Sequence, residues 1–252
     1  MQTDFSATDP LSIREMFGRV AARYDRANQI LSLGIDGYWR HIVGSLVADW
    51  HPQRILDLAT GSGILAQELH RQNPEAYVVC ADFCAPMLQI AKKRGLHNVV
   101  VADGMALPFA DAAFDVVTIA FGLRNMQSFE NALKGISRIL RPEGHVVILD
   151  FSLPSGPFRP FYRFYLHFVL PRLAGVITGY SAPYQYLGES IEHFPRGAAM
   201  LDLLARAGFQ DAKQRSLSGG IVAIYHAGKI TNDRTEQIVE PRSAVSRESA
   251  KF

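Results

Sequence analysis

An α/β fold, with a mainly parallel sheet covered by helices and closed by a C-terminal antiparallel hairpin, is what two features of this sequence predict. From Arg54 onward, short apolar runs alternate with amphipathic stretches of helical period. The first run, Ile55-Leu56-Asp57-Leu58-Ala59, ends in an acidic residue and then a glycine loop, Thr60-Gly61-Ser62-Gly63, as a strand does when it feeds a helix through a tight turn. Such alternation favours a parallel sheet buried on both faces.

The elements follow in order. Ile13, Met16, Phe17, Val20 and Ala21 recur at helical spacing; Tyr24-Asp25 interrupts, and Ile30-Leu31 with Leu33 begins another apolar face. Gly34 and Gly37 bracket a turn, and Trp39 to Val47 resumes the helix. Strands are expected at 54–59, 76–82, 98–103, 114–121 and 144–151, with helices at 62–72, 84–94 and 127–140 between them. Ser62 and the turn after it are expected to open the first of these helices. Leu140-Arg141-Pro142-Glu143-Gly144 reads as a helix end and turn. A helix at 196–207 and strands at 209–216 and 219–228, turning about Ser218-Gly219-Gly220, complete a seven-stranded sheet. The reading gives a flexible N-terminus at 1–12, one domain at 13–228 with N-terminal helices at 13–50, and a polar, flexible tail at 229–252.

With 48% hydrophobic residues, 252 residues suffice for one large domain and are short for two. Twenty-six basic against 24 acidic side chains leave a formal charge of +2, so electrostatics gives no case for nucleic acid as a partner. Cys80 and Cys84 have neither CxxC nor Cys/His spacing and read as buried free thiols of a cytoplasmic protein. The N-terminus lacks the basic and apolar regions of a signal peptide, and no apolar run is long enough to span a bilayer.

In an open α/β sheet, ligands sit beyond the carboxyl ends of the strands, and three predicted loops converge there. Gly61 and Gly63 remove Cβ atoms that would hold a ligand off the backbone. The spacing Gly61-Ser62-Gly63-Ile64-Leu65-Ala66 also satisfies a loose dinucleotide pattern, but Asp57 before it would repel a pyrophosphate and attract a cationic sulfonium and amino group. S-adenosylmethionine carries those cations and no phosphate. Asp82, about 20 residues after the glycines, is placed to accept from ribose hydroxyls, or else to cap helix 84–94. Asp103-Gly104 offers an acceptor for an adenine amino group, or else a simple turn. Phe121-Gly122-Leu123-Arg124-Asn125 lies where an acceptor would meet the cofactor: Gly122 permits close approach, and Arg124 and Asn125 offer donors to a substrate oxygen. The alternatives there are a solvated arginine and an Asn helix cap.

Residues 153–195 break the alternation and read as an inserted cap. Pro154, Pro157 and Pro160 precede Phe161, Tyr162, Phe164, Tyr165, Phe168 and Leu170, an aromatic stripe that is either plain core or the lining for a large apolar substrate. Tyr184, Tyr186, Glu189, Ser190 and His193 supply polar groups at its edge.

These residues together resemble a class I, Rossmann-like S-adenosylmethionine-dependent methyltransferase, and more closely the ubiquinone/menaquinone biosynthesis C-methyltransferase family. The resemblance rests on Val20-Ala21-Ala22-Arg23-Tyr24-Asp25, Asn28, Leu33-Gly34-Ile35 with Trp39-Arg40, the glycine loop, Ala106-Leu107-Pro108-Phe109, Phe114-Asp115, the Phe121–Asn125 segment, and Tyr186-Leu187-Gly188-Glu189-Ser190-Ile191 with Phe194-Pro195. It implies cofactor contacts at Ser62, Asp82, Asp103, Gly104 and Ala120; Asp57, Ala59, Gly61, Gly63 and Phe83 complete the candidate set. Thr60 stands where the family commonly has glycine, Ala120 where serine is frequent, and Glu143 where glycine is usual.

The resemblance further implies methyl transfer to a ring carbon of a prenylated benzoquinol or naphthoquinol, of the methoxy-polyprenyl-benzoquinol or demethylmenaquinol type. No metal or covalent nucleophile is required. Arg124 is placed to stabilise a phenolate beside the acceptor carbon, and His193, Asp25, Tyr24 and Tyr186 are candidate bases. The isoprenoid tail suggests transient contact with a membrane through the aromatic segment 158–170. The rival readings are a methyltransferase for other lipophilic phenols or natural products, a non-catalytic S-adenosylmethionine-binding protein and a nicotinamide oxidoreductase.

Overall fold

A computed structural model describes residue 32 and residues 34–179 and 182–231. The N-terminal expectations at Ile13 to Leu31 and Leu33, including the base candidates Tyr24 and Asp25 and the motif residue Asn28, lie outside the described residues, as does most of the 229–252 tail. Seven strands form one sheet: β1 (Arg54–Leu58), β2 (Tyr77–Asp82), β3 (Val99–Val101), β4 (Phe114–Ala120), β5 (Leu140–Phe151), β6 (Phe209–Leu217) and β7 (Val222–Lys229). Their order across the sheet is β3-β2-β1-β4-β5-β7-β6; the first five run parallel, and β7 lies antiparallel between β5 and β6.

Strand period two sorts the side chains into two cores. Leu56, Leu58, Val117, Ile119, Val146 and Ile148 face one side, under α4 (Phe129–Ile139) and α8 (Ala198–Arg206). Ile55, Val116, Val147, Leu149 and Ile224 face the other, under α1 (Ile35–Ala48) and α2 (Ile64–Gln72). Helix α3 (Ala85–Lys93) connects β2 to β3. Because β2 and β3 extend from β1 in one direction and β5 to β7 from β4 in the other, the connections part at the β1/β4 pair. A crevice opens there at the strand ends.

Several local expectations are corrected. Helix α1 begins at Ile35 and runs straight through Gly37, because Gly34 alone makes the turn, at φ +75°. Ser62 does not open α2, whose N-cap is Gly63 at φ +85°. Strand β3 stops at Val101, since Asp103 turns to bridge Ala106. The expected turn at 140–144 is a bulge inside β5: Phe114 pairs with Leu140, yet Val116 pairs with His145. Gly144 is needed there, because a Cβ would stand 2.9 Å from the Arg141 carbonyl oxygen. Cys80 and Cys84 are buried, and burial pushes Cys80 up to about 12.

The cap consists of α5 (Phe158–Phe164), a π turn (Tyr165–Val169), α6 (Leu170–Thr178) and α7 (Ala182–His193). Tyr162, Leu166, Leu170 and Ala174 point inward to a small core with Leu153, Tyr184 and Ile191. Four-residue spacing would drift about 40° per step on an ideal α-helix, and the wider π turn takes up that drift. Pro171 follows it, a residue with no N–H to bond back to the preceding turn. The aromatic stripe is thus neither all core nor all lining: its tyrosines are inside, and Phe158, Phe161, Phe164 and Phe168 are exposed. No helix among the described residues is long and apolar enough to cross a membrane.

Glu143 occupies left-handed backbone, φ +64°. A side chain there costs about 1 to 2 kcal/mol, and glycine's greater freedom in the unfolded chain takes back about 0.5 to 1 kcal/mol. Glu143→Gly is therefore expected to stabilise the protein by up to about 1 kcal/mol, seen as a higher denaturant midpoint at unchanged slope.

Candidate functional site

The crevice at the β1/β4 ends opens into a cleft with about 1380 Å³ of free space, its mouth included. Asp57 lies at its floor, buried, and accepts hydrogen bonds from the Thr60 hydroxyl at 2.6 Å and the Thr118 hydroxyl at 2.7 Å. Burial raises its pKa to about 6 against the pull of those hydroxyls and, more weakly, of Arg40. The backbone bends sharply just beyond both strands: Ala59 has φ +55° and Phe121 φ +58°. Left-handed backbone at a bulky residue is held only by its surroundings. Phe121 is clasped between Trp39 and Phe151, with ring centroids at 6.2 and 4.6 Å, under the Arg40 guanidinium.

The glycines have different reasons. Gly61, at φ +57°, has nothing within 4 Å of where a Cβ would stand, so its backbone lies bare. At Gly63 a Cβ would be 2.3 Å from Leu96, a packing constraint that faces away from the cleft. Gly122 lines the cleft, and its lack of a side chain also permits a close approach to Ala59, where a Cβ would meet the alanine methyl at 2.4 Å.

Asp82 borders the cleft and is not the N-cap of α3, which is Cys84. Asp82 Oδ2 accepts from the Gly61 N–H and its Oδ1 from the Cys84 N–H, each at 2.8 Å, so it ties the glycine loop to the turn that starts α3. The Phe83 N–H acts on it as well; a carboxylate has about four acceptor positions, which leaves about one for a ribose hydroxyl. Burial raises its pKa, and the backbone N–H groups oppose that. Asp103 makes a turn, accepting from the Met105 N–H at 2.9 Å, and still borders the cleft. Asp57, Ala59, Gly61, Ser62, Asp82, Phe83, Asp103, Gly104 and Ala120 all line the cleft; of the candidate cofactor contacts only Gly63 does not.

The candidate catalytic residues divide. Asn125 lines the cleft from a short 3-10 turn, Leu123–Asn125, and does not cap α4, whose cap is Ser128. Tyr186 reaches in from the cap, its hydroxyl donating to the Asn125 side-chain oxygen at 3.1 Å. Burial raises its pKa and keeps it a neutral donor. Arg124 is neither solvated nor on the cleft surface. Its side chain is buried, and Nη1 donates to Asp150 and to the Phe121 carbonyl, both at 2.6 Å. Arg124 Nε and Asp150 Oδ2 are buried without a hydrogen-bond partner among the described residues. His193 is exposed at the far end of α7, its Nδ1 at 2.8 Å from the Glu189 carbonyl, and is not brought to the site.

Sequence reasoning missed Asp150, although it stands at the end of a long apolar run, the same signal that revealed Asp57. It also gave no role to Trp39, Arg40, Met126 and Phe151, which form much of the remaining wall. Carboxylates at three neighbouring strand ends, with the Gly61 N–H already engaged by Asp82, fit a cationic nucleoside with hydroxyls to donate. They do not fit a pyrophosphate, which needs that N–H free.

A model of the ubiE/COQ5 methyltransferase family matches residues 5–229. The chain is 46% identical over 216 residues to a demethylmenaquinone methyltransferase of Thermus thermophilus, covering 83% of this chain and 98% of that protein. It is 42% identical over 221 residues to one of Mycobacterium marinum, covering 87% and 94%. Among solved structures its fold is similar to a SAM-dependent methyltransferase of Thermotoga maritima, TM-score 0.61 at 18% identity over 86% of this chain and 99% of that one. The CurJ carbon methyltransferase is similar at TM-score 0.60 and 14% identity, covering 90% and 60%.

Two outcomes are expected of this geometry. As pH falls through about 6, Asp57 takes up a proton and its counter-charge is lost, so affinity for S-adenosylmethionine should drop; calorimetric titration of Asp57→Asn should show no such step. Arg124→Ala or Asp150→Ala alone leaves a buried charge unpaired, at about 3 to 5 kcal/mol. Denaturant unfolding of the double variant should show a loss well below the sum of the two.

Proposed function

The chain belongs to the ubiE/COQ5 methyltransferase family, and from that premise we propose that it methylates a ring carbon of a prenylated naphthoquinol of the demethylmenaquinol type. It is an S-adenosylmethionine-dependent methyltransferase. Similarity to demethylmenaquinone methyltransferases over nearly their whole length carries the acceptor class. It favours a quinol over the other lipophilic phenols that the sequence left open.

Asp57, Asp82, Asp103 and the bare backbone of Gly61 would hold the cofactor. When bound, S-adenosylmethionine supplies an activated methyl group on a cationic sulfur. Asn125, its oxygen engaged by Tyr186 and one amide N–H directed at the Phe121 carbonyl at 3.5 Å, keeps its other amide N–H for the acceptor's ring oxygen and thereby sets which carbon faces the donor. Arg124 acts from behind the Phe121–Asn125 turn: its charge, shared with Asp150, favours negative charge developing on that oxygen. Tyr186 positions Asn125 and is not the base, because burial raises its pKa and a tyrosinate there is disfavoured. The cap's buried face, Tyr162 and Leu166 among it, adjoins this turn and excludes water from it.

Methyl transfer measured on demethylmenaquinol, a prenylated methoxy-benzoquinol and an unprenylated phenol tests the reading. The highest kcat/KM is expected on the first, and activity confined to the phenol overturns it. Tyr186→Phe should lower kcat by roughly threefold to tenfold, the scale of one hydrogen bond, with the dissociation constant of S-adenosylhomocysteine unchanged.

A further inference from the structure

The outer face of the cap has no counterpart in the chemistry above. Phe158, Phe161, Phe164, Phe168, Leu173 and Val176 all project from the continuous helical stretch Phe158–Thr178, with Phe161 72% and Val176 88% exposed. Phe164 and Phe168 stack on one another at 5.1 Å across the π turn, forming one apolar surface. A soluble surface rarely presents so many large apolar side chains together without a partner. Arg159, Arg163 and Arg172 are exposed along the same stretch, and no acidic residue occurs between Asp150 and Glu189. Arg163 is joined to Glu192, which also contacts His167, so α5 is tied to α7 and the face is held as a unit.

We propose that this face is a membrane-docking surface, by which the helix Phe158–Thr178 lies in the plane of a bilayer containing anionic phospholipid. Phenylalanines enter the acyl boundary while arginines reach back to phosphate groups, the arrangement of an interfacial amphipathic helix. No helix among the described residues is long and apolar enough to cross a membrane, and the inner face of this stretch is already committed to the cap core. A flat, repeating array of phosphates matches a stretch that is apolar and cationic and carries no acidic residue of its own, with Arg159 and Arg172 exposed beside the Arg163–Glu192 pair. The proposal does not depend on the acceptor, because vesicles free of quinone suffice to test it.

Flotation of the whole chain with vesicles of phosphatidylcholine alone, or of equal parts phosphatidylcholine and phosphatidylglycerol, is the experiment. The protein should float with the anionic vesicles, less so at high salt. Phe161→Ser combined with Phe164→Ser should weaken partitioning by at least about tenfold, with thermal midpoint and S-adenosylhomocysteine affinity unchanged. Arg159→Gln should weaken it about fivefold on anionic vesicles only, and it keeps the test sound if the double variant folds poorly. Equal flotation of the variants overturns the proposal, as does failure of the unmodified protein to float. A dimer that dissolves in the double variant, with no vesicle binding by the parent, also overturns it and assigns the face to a second copy of the chain.

Discussion

The hydrogen bonds that converge on the buried Asp57 carboxylate hold the molecule's working end together. Thr118 reaches it from β4 and Thr60 from the glycine loop, so one side chain joins the two strands at the point where the sheet's connections part. A buried carboxylate is costly unless such donors meet it, and here the donors are also what bend the backbone out of the strands. Ala59 and Phe121 take up left-handed conformations directly beyond Asp57 and Ala120, and both strained residues border the cleft. The fold's topology therefore opens the cleft, and the Asp57 network sets the shape of its floor.

A second carboxylate repeats this logic one strand further on. Asp150 ends β5 as Asp57 ends β1, but its partner is a cation, Arg124, and the pair is sealed from solvent. Buried ion pairs return little net stability for the desolvation they require. What this one provides is a fixed positive charge behind the Phe121–Asn125 turn, with Arg124 Nη1 shared between Asp150 and the strained Phe121 carbonyl. The turn that carries Asn125 is thereby braced from behind, and Tyr186 meets it from the cap.

How far the sequence could be read follows from these contacts. Strand positions along the chain, the glycine loop, and the places of Asp57, Asp82 and Asp103 at the cleft were legible because each depends on local period and on the rule that ligands gather at strand ends. The contact of Gly122 with Ala59 was not legible, because that neighbour across the sheet is 63 residues away and invisible to local pattern. Arg124 read as solvated or substrate-facing for the same reason: its partner Asp150 is 26 residues distant. His193 looked useful by proximity to the Tyr186 motif, but seven residues along a helix place it at the far end. The bulge in β5 could not be foreseen, since Arg141-Pro142-Glu143-Gly144 has the composition of a turn and only pairing with β4 makes it part of a strand.

The aromatic stripe shows most clearly why composition alone leaves a choice open. Hydrophobic spacing on one helix can serve one face or two, and only the period decides. Between Phe158 and Val176 the inward residues recur every fourth position and the outward ones at three to five, a pattern that an unbroken α-helix would smear around its circumference. The π turn before Pro171 restores both faces at once. Had the segment been a plain α-helix, Leu170 and Ala174 would have rotated away from the cap core, and the outward Leu173 would have swung toward it. A local irregularity is thus what keeps a tyrosine-bearing inner face against the candidate site while a phenylalanine-bearing outer face remains in solvent.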